Sequence, residues 1–301
     1  KESPLTQRER ASRAIKAVQI FYAGMIDKAF FQPLSDEARV ESLVMLATAN
    51  LTALGDLEYL FAELSNQPDE VIAGIFSGFD EYREGLSLLL DRVWLAESKK
   101  QPPQWNDCQR VFSRIADFAL THNLPWVFGS SVRARIVILD EYQNDSEAAL
   151  RLARESRETI GASHPLIDLA ESTVHFRREE YPAALDLIEI AEQGTPVDDV
   201  PLERLFSMRR AIIGASRSRS WEKVKRYAAR GLDLAESLPS WPFTEVAKIA
   251  FRAELGWVEH ERNDRSSSTK EFGNVLTALE SFPDQSYPLF HILRLRVGHT
   301  L

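Results

Sequence analysis

The chain has 301 residues, 44% of them apolar, and a formal net charge of -9 at neutral pH. That is apolar side chain enough for a large buried core, and a charge that as a whole repels nucleic acid and anionic membrane. A single cysteine, Cys108, excludes an internal disulfide, and six scattered histidines show no CxxC or HxxxH ligand spacing, so no metal, no cofactor and a reducing cytoplasm are expected. No run of about 18 uncharged apolar residues and no charged-then-apolar leader occurs, so neither a membrane span nor a signal peptide is expected. The chain begins at Lys1 without Met and stops inside the apolar stretch YPLFHILRLRVGHTL; both ends read as cuts through a longer protein.

Residues 5–31 carry the first helical pattern, with Ser3 as cap, Pro4 in the first turn, and Ile15, Val18, Tyr22, Met25 and Ile26 as the buried stripe. Ser35 then caps a helix reaching about Leu54, with Asp36 and Glu37 in the first turn, where the helix dipole favours them. Gly55-Asp56 reads as a corner, and Leu57, Leu60, Phe61 and Leu64 as a return helix ended by Asn66-Gln67-Pro68. Over 69–99 the pattern is helical but weakened by Gly74, Gly78 and Gly85, with a break expected near 77–80. KKQPPQW is the most polar, proline-marked connection, which divides a weakly repeat-like region, 1–100, from one continuous run of repeats, 101–301.

From there helices are expected over 105–121, 125–142, 146–159, 202–219, 221–238, 243–262 and 269–282, with polar corners at QND and NDRSS. Between them lies PLIDLAESTVHFRREEYPAALDLIEIAEQGTP, a helical hairpin in which Leu166, Leu169, Ala170, Thr173 and Phe176 form one apolar stripe and Ala184, Leu185, Ile188 and Ala191 the other. No strand alternation of useful length appears, so the expected class is all-α.

The hairpin echoes along the chain. Ser146, Tyr181 and Trp221 each begin a helix, followed three residues later by Ala149, Ala184 and Val224; these slim positions are 35 and 40 residues apart, and Cys108 lies 41 residues before Ala149. Here the sequence resembles the tetratricopeptide-repeat (TPR) family, whose unit is a helix-turn-helix of about 34 residues. Ser172 stands where the family has glycine and His175 where it has an aromatic residue. The resemblance implies antiparallel hairpins stacked as a right-handed α-solenoid. It also implies the kind of sensor or scaffold segment found in large bacterial signalling proteins. In such repeats the first helix of each hairpin lines the concave groove, so Tyr142, Arg177, Arg209 and Arg217 are the implied partner-binding residues.

Chemistry is hard to find. Neither GxxxxGK nor GxGxxG occurs, so no phosphate cradle is expected, and Gly129-Ser130-Ser131 lacks the pattern of a nucleophile elbow. Cys108 reads as a small buried hydrophobe, His260 as a histidine packed among helices, and His175 as a cation near a helix C-terminus. Trp105, Trp221 and Trp257 read as packing residues, whereas Trp126 and Trp241 beside prolines read as exposed. The charge anomaly is 201–230, with nine basic residues against Glu203 and Glu222, which leaves the rest of the chain at -16. Such a band binds acidic peptide or nucleic acid, or is paired with carboxylates of adjacent repeats. Arg209 falls among Leu205, Phe206, Met208, Ile212, Ile213 and Ala215, so it either faces a ligand or snorkels to a structural carboxylate. The expected function is non-enzymatic: binding of a protein or peptide partner, an acidic one for choice. The alternatives are a regulator responsive to a small molecule or peptide and, less favoured, a nucleic-acid contact through the band. Oligomeric state is not legible.

Overall fold

The structure, a computed structural model, describes residues 54–66, 68–76, 85–194, 200–238, 242–282, 293–294 and 297. The helices expected over 5–31 and 35–54, the break at 77–80, Trp241 and most of the C-terminal apolar stretch lie outside them. Among the described residues there is no strand, and the chain is all-α. It runs through α1 (Leu54–Leu64), α2 (Asp69–Phe76), α3 (Gly85–Ser98), α4 (Trp105–Thr121), α5 (Pro125–Val137), α6 (Ser146–Ile160), α7 (Pro165–Arg177), α8 (Tyr181–Gly194), α9 (Pro201–Arg217), α10 (Trp221–Ser237), α11 (Pro242–Glu261) and α12 (Arg265–Ser281).

Two starts differ from expectation for the same physical reason. Gly55 and Asp56 belong to the first turn of α1 rather than to a corner before it, and the carboxylate of Asp56 sits where the helix dipole stabilises it. Likewise α12 begins at Arg265, because Asp264 caps it by accepting a hydrogen bond from the Ser267 backbone N–H at 3.1 Å.

Contacts gather the described residues into two compact units: those up to Val174 with those of Gln193–Val200, and His175–Glu192 with those of Pro201–Leu301. In the first unit one apolar cluster joins Leu57 and Phe61 of α1, Leu90 and Val93 of α3, Cys108, Phe112 and Ile115 of α4, and Val132 and Ile136 of α5. It continues through Ala149 and Ala153 of α6 to Ile167 and Ala170 of α7. Phe118 closes the end near α2, its ring edge-on to Phe61 at 5.3 Å. After Val137 the helix widens into a π turn, Ile138–Tyr142, in which the N–H of Gln143 donates to the carbonyl of Ile138. That extra residue per turn re-aims the end of α5, a feature with no signal in hydrophobic periodicity.

In the second unit helices adjacent in sequence pack on one another, α9 on α10, α10 on α11 and α11 on α12. The joints of α10 with α11 and of α11 with α12 share one device, a glycine under an aromatic ring. A Cβ on Gly231 would stand 2.4 Å from the Phe251 ring, and one on Gly256 would stand 2.8 Å from that of Phe272. Since real Cβ atoms do not approach so closely, both helix pairs owe their separation to the missing side chain. Val246, Ile249 and Ala253 of α11 with Phe272, Val275 and Leu279 of α12 complete that end of the core.

One corner recurs in both units. At Glu179, Arg219 and Asn263 the backbone turns left-handed (φ 61, 52 and 59). The following residue donates its N–H five residues back: Glu180 to His175, Ser220 to Ala215, Asp264 to Glu259. Asn123 (φ 54) does the same in the first unit, where Leu124 donates to Ala119 at 2.8 Å. These are Schellman closures, which satisfy the last carbonyls of one helix and reverse the chain into the next.

Candidate functional site

The second unit holds the face on which two of the four implied partner-binding residues meet. Helix α9 buries Leu205, Met208, Ala211, Ile212 and Ala215 yet leaves Phe206 and Ile213 exposed at 44% and 42%. At about 100° per residue, Phe206, Ile213 and Arg217 fall within about 40° of one another, with Arg209 and Arg210 on either flank. Arg217 is exposed and makes no hydrogen bond or ion pair among the described residues. Arg209 is half-buried and lines a small open depression with Ile212 and Ile213 and, from α11, Ala250, Phe251 and Glu254. Burial holds its guanidinium below the usual arginine range, and the charge of Glu254 acts in the opposite sense. Arg209 thus stands among apolar neighbours with a carboxylate nearby, the arrangement of a snorkelling arginine.

Most other cations of the 201–230 band face carboxylates of neighbouring helices. Glu189 of α8 accepts from Arg226 at 2.6 Å and from the Tyr227 hydroxyl at 3.0 Å, with Lys223 at 3.7 Å. Burial and that acceptor push the Tyr227 phenol up to about 12. Arg230 donates to Glu192 at 2.5 Å, Lys225 to Glu259 of α11 at 2.6 Å, and Glu222 pairs with Arg262. Arg204, 1% exposed, donates to the Ala191 carbonyl at 3.2 Å near the end of α8. The band is therefore an inter-helix pairing ladder for much of its length, and its residual positive face is the sector of α9 that carries Arg209 and Arg217.

The other two implied residues stand elsewhere. Arg177 is exposed in the last turn of α7. Tyr142 belongs to the first unit, at the end of the π turn, with its ring 5.0 Å from Trp94 and 4.7 Å from Trp105. Burial, with Glu141 and Asp91 nearby, raises its phenol above the ordinary range. Beside this aromatic trio Asp91 accepts from the Trp94 indole N–H at 2.9 Å and from Arg133 at 2.5 Å.

Cys108 is fully buried, and burial with Glu97 nearby pushes its thiol up to about 12, so it is inert as a nucleophile at neutral pH. His175 meets Glu180 across its corner at 2.6 Å, a specific partner rather than the helix dipole alone. The His260 ring stands 5.5 Å from Trp257, and Trp126 is half-buried against His164 at 4.8 Å.

Two features gave no sequence signal. One is the exposure of Phe206 and Ile213, since their stripe reads as core. The other is a buried ionic cluster in which Arg157 of α6 holds Asp168, at 2.8 Å, and Glu171 of α7, with Ser163 also bonded to Asp168. Burial raises the Asp168 carboxyl, opposed by Ser163 and Arg157. Among the described residues no helix is long and apolar enough to cross a membrane, and no three acidic, histidine or cysteine side chains are placed to hold a metal ion. Compared with known proteins, the chain matches no family model, and no curated protein is significantly similar to it.

Proposed function

We propose that the chain is a non-catalytic, TPR-like helical-repeat module, a right-handed α-solenoid of antiparallel hairpins, whose α9 face receives an acidic segment of a partner protein. The repeat reading is supported by the corner at Glu179, Arg219 and Asn263, recurring every 40 and 44 residues with the same hydrogen bonds. The binding reading rests on one observation: α9 exposes Phe206 and Ile213 between arginines, while neighbouring cations are consumed by Glu189, Glu192 and Glu259. Exposed apolar side chains rimmed by charge mark interaction surfaces, and guanidinium groups suit carboxylates because their planar fork donates two hydrogen bonds. In a larger regulatory protein such a module acts as scaffold or sensor.

A cellulose-bound array of Asp- and Glu-rich amphipathic peptides tests this. The intact chain is expected to bind a subset of spots. Arg209→Gln together with Arg217→Gln removes that binding, and the melting temperature stays nearly unchanged. Raising salt weakens binding, because partly exposed charges are screened over about 8 Å at physiological strength. An unchanged spot pattern in the double variant, or its loss of fold, overturns the proposal.

A further inference from the structure

We infer that the segment received by α9 is itself an α-helix, apolar along a heptad seam and acidic on both flanks. The inference rests on the acidic-segment reading above and deepens it. Phe206 and Ile213 are seven residues apart, which places them about 10.5 Å apart along the helix and only about 20° apart around it. A second helix running along this face repeats its own side chains at that same interval, so two of its apolar residues seat against both at once. An extended strand presents same-face side chains every two residues, at about 6.8 or 13.6 Å, and 10.5 Å falls midway between. A polyproline segment repeats at about 9.3 Å, short of the roughly 10.5 Å interval.

Charge selects among helices. Arg209 and Arg217 flank the Phe206–Ile213 line on opposite sides, about 60° and 20° around the helix from Phe206, and charges beside an apolar seam choose the partner by its charge. A second copy docked by the same face would set arginine against arginine, so the structure favours an acidic helix over self-association. Glu254 of α11, beside Arg209 in the same depression, already holds the place of one partner carboxylate.

Two phage-displayed peptide libraries of equal composition are panned against the whole chain. One sets leucine and glutamate in heptad register, the other alternates them at period two. The heptad library is expected to yield the binders. Their synthetic peptides gain far-UV helicity on binding and weaken by about tenfold or more when Phe206→Ser or Ile213→Ser is introduced, as expected of residues central to a small interface. Both side chains are exposed, so these variants keep the fold. If the alternating library gives the tighter peptides, and these depend on the same four α9 residues, the helical partner is overturned and the acidic-segment reading stands. If neither library gives a peptide sensitive to Phe206, Arg209, Ile213 or Arg217, both fall.

Discussion

At the residue scale the left-handed corners carry the clearest physical tension. Asparagine tolerates positive φ through local hydrogen bonding, and it occupies the corner at Asn123 and Asn263. Glu179 and Arg219 do the same work without that help, so their backbone is held by the Schellman bonds on either side. Arg219 is exposed and makes no ion pair among the described residues, so the backbone hydrogen bonds of the corner alone offset the strain. Arg219→Gly is therefore expected to raise unfolding free energy by about 0.5–1 kcal/mol, the relief of a left-handed residue less the added freedom of the unfolded chain. Urea melts measure it, and a lower midpoint in the variant would mean that the arginine makes a contact that outweighs the strain.

At the element scale the joint between α8 and α9 shows how small residues set helix separation. Ala184 is 3% exposed and shares a narrow cleft with Phe176, Tyr181, Ala211 and Gly214. A Cβ on Gly214 would meet the Tyr181 ring at 3.3 Å, so the cleft is closed by contact and has little slack. Ala184→Trp should cost about 1–3 kcal/mol or more through overpacking. Asp186, exposed on the same helix, serves as control, and its replacement by tryptophan should cost within about 0.5 kcal/mol. Chemical melts of the two variants compare them directly; equal losses would contradict the packing of α8 on α9.

At the scale of the whole molecule charge is placed with more economy than the composition suggests. A net -9 conceals a strongly basic stretch, yet Glu189, Glu192 and Glu259 from flanking helices face its lysines and arginines at hydrogen-bond distance. Much of the counterion release that drives nucleic-acid binding is thereby forfeited before any polyanion arrives. A fluorescein-labelled DNA duplex should show no anisotropy change with the intact chain at about 150 mM salt. Glu189→Gln with Glu259→Gln frees Lys223, Lys225 and Arg226 and should introduce weak, salt-sensitive binding. Tight binding by the unmodified chain, falling steeply with salt, would restore the nucleic-acid alternative.

The sequence by itself determined the all-α class and most described helix bodies. A 3.6-residue apolar period survives substitution, and prolines and polar triplets punctuate it locally. It also determined that Cys108 lies within a core face. It misplaced the starts of α1 and α12, because Asp56 and Asp264 are equally at home in a corner and in a first turn. The tertiary structure alone decided which cations of 201–230 are paired, since Glu189 and Glu259 come from helices distant in sequence. It alone decided that Phe206 and Ile213 stay exposed. Periodicity locates an apolar stripe, but how wide a sector the neighbouring helices cover depends on how closely they approach, and at α9 the contact of Gly214 with the Tyr181 ring is one that helps set that distance.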